Sequence, residues 1–411
     1  MISPRLGSIV HRVAAAAALV ALSACGTSGS GGAGNAGQVT FWHYYAQGIP
    51  ATAKFTKDLG DTYAKAALPK PLNSVYVPAE QLTQKVVASA ATKQGPDVFV
   101  QGGADLLQLI KAGAIADFTA QFDAFKDKSQ IPDANVIKQD GKVYGVQGFN
   151  NTTALWYNKT ILDELGIAPP TTMDELDAAL AKIGTKYVGI GLAGQGDQDV
   201  NAFSFISAYG FDYAKPDAAA LENAFKLVGG WAEKGYVPRD AATWTPDVAF
   251  QKFTAGGMAF AVGGNWQYGN AKKTASFTYG VVPVPDATAP AKVYQFGDNV
   301  HMSAFTKDKK AAFDAIATMF LSKDGELAAL EAGSMPVRKD LADTKGMQDP
   351  IYDQFNKALK NGVPYLLPGF GTELTQMRKP VAEAWSAVLA GQSTPRDAAT
   401  TAVAAVQRVA K

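Results

Sequence analysis

Strand and helix signatures alternate three times between residues 39 and 113, and this alternation restricts the chain more than any other feature. Residues 39–45, Val-Thr-Phe-Trp-His-Tyr-Tyr, read as a strand opening into a loop, with Val39 and Phe41 alternating against Thr40 and Trp42. Phe55, Leu59 and Tyr63 then recur at the spacing of one helix face. Val75-Tyr76-Val77 is a second short strand, and Leu82, Val86, Val87 and Ala90 mark a second helix. Gly95-Pro96 stops that helix before a third strand, residues 97–101, and Leu106, Leu109 and Ile110 form a third helix ending near Gly113. Such alternation predicts a parallel α/β sheet. Ligands of these sheets sit beyond the carboxyl ends of the strands, which places the Trp42–Tyr45 and Gln101–Gly103 loops on one rim.

Upstream of the sheet, Arg5, His11 and Arg12 precede the apolar run 13–22, with no acidic residue among them. This is a positive region followed by a short apolar one, as in an export signal. The run is too short to cross ~30 Å of hydrocarbon as a helix. Leu22-Ser23-Ala24-Cys25 follows and resembles the bacterial lipobox, so residues 1–24 are expected to be a cleaved signal peptide and Cys25 the lipid-bearing first residue of the mature chain. Cys25 is the only cysteine, so no disulfide can form within the chain. Residues 26–37 are entirely Gly, Ser, Thr, Ala and Asn and read as a flexible linker. The implied location is outside the cytoplasm, on the outer face of the bacterial cytoplasmic membrane.

Cleavage after residue 24 takes Arg5 and Arg12 from the 38 basic residues and leaves 36 against 37 acidic ones. No basic excess exists for a nucleic-acid partner. No later apolar stretch reaches the length of a transmembrane helix. The body exceeds what one hydrophobic core usually holds, so two domains are expected. Catalytic signatures are scarce: no HExxH, GxSxG or Walker loop is present, and the only body histidines are His43 and His301. No metal and no cofactor is expected. Carboxylates are plentiful, so a glycosidase pair stays open.

The texture changes at residues 143–158, a long, extended and largely uncharged stretch. Thr172 with Glu175 forms a capping box, and Leu176, Leu180 and Ile183 continue its helix. A helix over 221–232, a strand over 258–262, a helix carrying Phe313, Ile316 and Phe320, and an Ala-rich helical tail over 380–409 follow. In this order the signals resemble the extracellular solute-binding proteins of ABC importers, the group that includes the maltose-binding protein. The matching pieces are the lipobox, Thr40–His43, Gly95–Phe99, Lys142–Gly145 with Ala154–Lys159, Pro169–Thr172, Met258–Trp266 and Met335–Arg338. Their order, more than any one of them, carries the likeness, which spans nearly the whole mature chain.

The resemblance implies a two-lobed α/β fold with a ligand cleft between lobes and a hinge of about three crossings, near 148–151, 296–299 and 333–337. The first lobe would comprise 38–149 plus 298–334, and the second 150–297 plus 335–411. It further implies a monomer that binds a carbohydrate, closes by hinge rotation and delivers it to membrane permease subunits, with no covalent chemistry. An exported glycosidase or lyase, and a sugar-sensing lipoprotein serving a signalling partner, are the competing readings.

A sugar offers hydroxyl edges and apolar faces, so its site needs aromatic platforms beside planar polar groups. Trp266 follows Gly263-Gly264-Asn265 at a strand end, where glycines let the backbone approach a ligand, and in the family this position often carries a stacking tryptophan. Trp42, His43 and Tyr44 leave the first strand, with Tyr45 read as core, and Gln101 leaves the third. Asn151, beside Asn150, stands at the first crossing, Asp298 and Asn299 at the second, and Arg338 at the third. Asn201, with the weaker Gln198 and Asp199, lies in a polar loop, and Trp244 lies in a Thr-rich stretch as a further platform. Trp156 is read as core.

Overall fold

The computed structural model of the chain describes residues 37–409 except 46, 102–105, 196–198, 288–289 and 366–373. The signal segment, Cys25, nearly all of the linker, and Gln198 lie outside the described residues. No helix among the described residues is long and apolar enough to cross a membrane.

Two sheets organise the body. The strands are β1 Val39–His43, β2 Leu72–Tyr76, β3 Val98–Gln101, β4 Val136–Gln139, β5 Lys142–Gln147, β6 Phe149–Asn150, β7 Thr153–Asn158, β8 Val188–Gly191, β9 Met258–Gly264, β10 Tyr279–Val282, β11 Val293–Gln295, β12 Asn299–Met302, β13 Met335–Pro336 and β14 Gly362–Pro364. The first lobe holds the sheet β2-β1-β3-β12-β5-β4, and the second holds β10-β7-β9-β8. β1 pairs in parallel with both β2 and β3, as the alternation predicts. The sheet is nevertheless mixed, because β12 lies antiparallel between β3 and β5. β12 arrives directly from the other lobe, without a crossover helix on this sheet, so its direction is set by the hinge and not by a βαβ unit. All five residues of β1 are buried, so the expected alternation along it is absent. Apolar clusters cover both faces of the sheet, as is usual for a central parallel strand.

Local signals explain the elements around these sheets. Helix Pro50–Lys65 begins with proline and buries Phe55, Leu59 and Tyr63 on one face. Helix Met173–Ile183 carries the full capping box, with Thr172 and Glu175 each bonded to the other's backbone N–H. The Ala-rich tail forms two helices, Leu374–Leu389 and Pro395–Val409, and Gly391 turns between them at φ +67°.

The chain crosses between the lobes at three places lying side by side. β6 pairs antiparallel with β13, Asn150 opposite Met335 and Phe149 opposite Pro336. Asn151 bridges Phe296 on its other side. A Cβ at Gly297 would stand 1.9 Å from the Phe149 carbonyl oxygen, so the second crossing presses directly on the first. Just beyond β13, Val337 still packs in the first lobe's core and Arg338 bonds Asp127 and the Leu321 carbonyl. Residues 337 and 338 therefore pack with the first lobe, three to four residues beyond the boundary expected at 334.

Candidate functional site

A cleft of about 250 Å³ opens where the three crossings meet, and every crossing lines it: Phe149 and Asn151, Phe296 and Asp298, Ala332 and Ser334. Tyr44 and Tyr45, just past the carboxyl end of β1, form one wall with Phe55 of helix Pro50–Lys65. Trp266 and Gln267, just past β9, and Asp247, in the first turn of helix Pro246–Thr254, form the other. A larger groove of about 900 Å³ lies on the outside of the first lobe, rimmed by lysines and aspartates. It touches none of the crossings, so the smaller interlobe cleft is the candidate site.

Asp298 is buried and accepts a hydrogen bond from the Tyr44 hydroxyl. Burial raises its carboxyl above the usual range, and Tyr44 and Tyr45 only partly offset this. Burial and Asp298 together push both Tyr44 and Tyr45 well above an ordinary phenol. The Tyr45 hydroxyl, on a residue 5% exposed, is directed at the same carboxyl. Across the cleft, Asp247 accepts from Gln267 Nε2 at 2.6 Å, and burial raises this carboxyl too. Trp266 is half-buried and meets Phe296 edge-on at 5.4 Å between ring centroids.

Asn265 ties this wall to the hinge. Its Nδ2 donates toward the Asn150 carbonyl at 3.2 Å, Asn151 Oδ1 at 2.9 Å and the Gly333 carbonyl at 2.9 Å, while its Oδ1 accepts from Thr152 N at 2.8 Å. One amide therefore serves the first and third crossings and stands next to Trp266. The glycines before it serve packing. A Cβ on Gly264 would lie 1.8 Å from the Trp266 ring, and one on Gly263 would lie 2.7 Å from Phe250. The space expected for a ligand's approach is taken by the protein's own rings.

Of the residues singled out from sequence, Tyr44, Asn151, Trp266 and Asp298 line the cleft. The others stand elsewhere. Trp42 is buried in the apolar cluster on the outer face of the first sheet. His43 is 2% exposed, accepts from Tyr45 N at 3.2 Å, and is held neutral, its pKa lowered to about 4 by burial. Gln101 and Asn299 are buried opposite each other on β3 and β12. Trp244 belongs to the second lobe's core and donates to Asp240 at 3.1 Å. Asn201 sits half-buried in a turn, outside the described lining. Arg338 is 3% exposed and spends its guanidinium on Asp340, Asp127 and the Leu321 carbonyl. Asp199 is sealed in the second lobe, where Tyr213, Tyr294 and Arg378 serve it.

Tyr45, Asp247, Gln267, Phe296 and Ser334 are cleft residues that sequence reasoning did not select. Gln267 had a signal, its adjacency to Trp266, and Asp247 follows a Thr-Pro helix start. Among the described residues no group of three or more His, Cys, Asp or Glu is placed to hold a metal ion.

Known proteins share this architecture. Residues 51–353 match the family of bacterial extracellular solute-binding proteins. A binding protein of Brucella abortus is 26% identical over 286 residues, 66% of this chain and 69% of its own length. The galactooligosaccharide-binding protein of Bacillus subtilis is 25% identical over 268 residues, 60% of this chain and 62% of its own. The GacH receptor of Streptomyces glaucescens, solved unliganded and with acarbose, superposes with a TM-score of 0.80 at 22% identity, covering 90% of this chain and 98% of that one. A maltose/maltodextrin-binding domain from Bdellovibrio bacteriovorus, bound to maltotriose, gives 0.76 at 17% identity over 90% and 99%. With the crossings, the interlobe cleft and this match together, the chain belongs to the bacterial extracellular solute-binding protein family.

Proposed function

We propose that this protein captures a carbohydrate in the interlobe cleft and closes around it by rotation at the three crossings. The observation that carries the reading is the lining itself: every crossing contributes to it, so a ligand there touches both lobes and the hinge at once. Trp266, Phe296, Tyr44 and Tyr45 supply faces for sugar C–H surfaces, and Asn151, Gln267, Asp247 and Asp298 supply planar polar groups for hydroxyls. The relatives that carry sugar names, and the sugar-bound neighbours, support the same class of ligand. Binding that favours the closed form is the family's usual basis for presenting solute to a partner.

In the cell, the reading extends to a chain anchored through Cys25 to the outer face of the cytoplasmic membrane, acting as a monomer that hands its sugar to ABC permease subunits. The lobes are residues 38–149 with 298–340, and the remainder of the body from 150 onward. Calorimetric titration with a panel of mono- and oligosaccharides, paired with small-angle scattering, tests capture and closure together. Saturable heat with a fall in radius of gyration is expected, and silence across the panel sinks the proposal.

A second reading, an enzyme that cleaves the bound sugar, draws on one observation: Asp247 and Asp298 are carboxyls on opposite walls of one cleft. Prolonged incubation with bound oligosaccharide distinguishes the two. Intact sugar supports the binder, whereas products abolished by D247N or D298N support the enzyme.

A further inference from the structure

The cleft has an uneven charge. Asp247 and Asp298 border it, and among the described residues no lysine or arginine does. Asp298 is 9% exposed and its partners, the Tyr44 and Tyr45 hydroxyls, are neutral. Asp247 is served by a neutral amide. Removing a carboxylate from water is costly unless a cation or several strong donors replace the water.

Elsewhere the same fold handles such a group differently. Asp199, equally ringed by tyrosines, faces Arg378 at 3.4 Å. The Arg378 guanidinium is stacked between the rings of Tyr294 and Tyr365 at 4.4 and 4.1 Å. A buried aspartate, tyrosine hydroxyls and a cation on aromatic faces form one self-consistent arrangement. The cleft presents the first two of these, together with the aromatic faces of Trp266 and Phe296. The buried Tyr45 hydroxyl is directed at the same carboxyl as that of Tyr44, so both neighbours of Asp298 on this wall are neutral phenols. Burial holds both carboxyls, Asp247 and Asp298, above their ordinary range, as it does Asp199.

We propose that the captured carbohydrate carries a basic nitrogen, as an amino sugar does, and that Asp298 and Asp247 select it by charge while Trp266 and Phe296 take its faces. This rests on the carbohydrate reading above. A protonated amine gains charge-assisted hydrogen bonds from the two carboxyls, whereas a phosphorylated or uronic sugar meets them as like charges.

The test is calorimetry on the purified protein at neutral pH with four probes: the glucosamine trisaccharide, its N-acetylated form, maltotriose and putrescine. The glucosamine trisaccharide is expected to bind at least tenfold tighter than the N-acetylated form. D298N and D247N, made separately so that one folding failure does not end the test, should each shrink that ratio severalfold. Equal or tighter binding of the N-acetylated trisaccharide or maltotriose overturns the charge selection and leaves the carbohydrate reading intact. Putrescine binding without any sugar binding overturns the carbohydrate reading and supports the charge selection. Binding by none of the four overturns both.

Discussion

Two buried aspartates, Asp199 and Asp298, sit in opposite settings. Asp199 lies inside the second lobe at 1% exposure, with two tyrosine hydroxyls and a fully buried arginine completing its shell. Asp298 lies at the second crossing, held by Tyr44 and facing the cleft. The first has its counter-charge built into the chain. The second is served by neutral groups and borders a space that a ligand can enter. A polar cluster that is complete within the protein locks a lobe, and one left open toward a cleft is available for recognition.

The sharpest way to break this contrast is to remove the internal cation. Arg378→Met leaves Asp199 buried without its counter-charge and is expected to cost about 3–5 kcal/mol. Asp298→Asn keeps an acceptor for Tyr44 and is expected to change stability by less than about 1 kcal/mol. Urea midpoints of the two variants measure both, and comparable losses would dissolve the distinction.

A third buried acid sharpens it through pH. Glu326 accepts from the backbone N–H groups of Val337 and Arg338, both at 2.8 Å, yet burial raises its pKa to about 8. The nearby Arg338 guanidinium is directed to Asp340 and Asp127 instead. Because the folded-state value lies above the unfolded one, the folded state holds the extra proton. This group's contribution is therefore fully present below about pH 4.5 and is lost as pH rises toward about 8. Glu326→Gln should remove a decline of up to ~1.4 kcal/mol per pH unit across that window. His43 and His301, both lowered to about 4 by burial, tilt the curve the other way below about pH 6.5, but they do so in both proteins and cancel in the difference. Parallel stability curves for the two proteins would show that Glu326 is charged and satisfied.

Smaller effects separate two tryptophans. Trp266→Ala should weaken sugar binding by more than tenfold, above ~1.4 kcal/mol. Trp244→Phe, in the second lobe's core, should leave affinity within about twofold, ~0.4 kcal/mol. The same titration decides both, and a reversed order would move the ligand out of the described cleft.

Much of the fold was legible because its signals are local. The Thr172–Glu175 capping box, the Phe55–Leu59–Tyr63 face and the βα alternation each depend on residues close in the chain. The site was legible only in part. Tyr44 and Trp42 are two residues apart, yet one lines the cleft and the other packs in the core. Residues two apart within a strand share a face, so the difference arises because β1 ends at His43 and Tyr44 already lies in the loop beyond it. Arg338 illustrates a different limit. Its place at a crossing suggested a ligand contact, but beside the local Asp340 it bonds Asp127, 211 residues away in sequence.

The sequence by itself determined that the body opens as alternating strands and helices, that no disulfide can form within the chain, and that aromatic and amide residues follow its strand ends. The two lobes were implied by the family likeness. Periodicity, caps and composition are readable one neighbour at a time. Only the tertiary structure decided that β12 inserts antiparallel, that Asn265 ties two of the crossings together, and that Asp298 faces the cleft while Asp199 meets Arg378. Those outcomes depend on which distant segments come to share a buried space, and on how each buried charge there is satisfied.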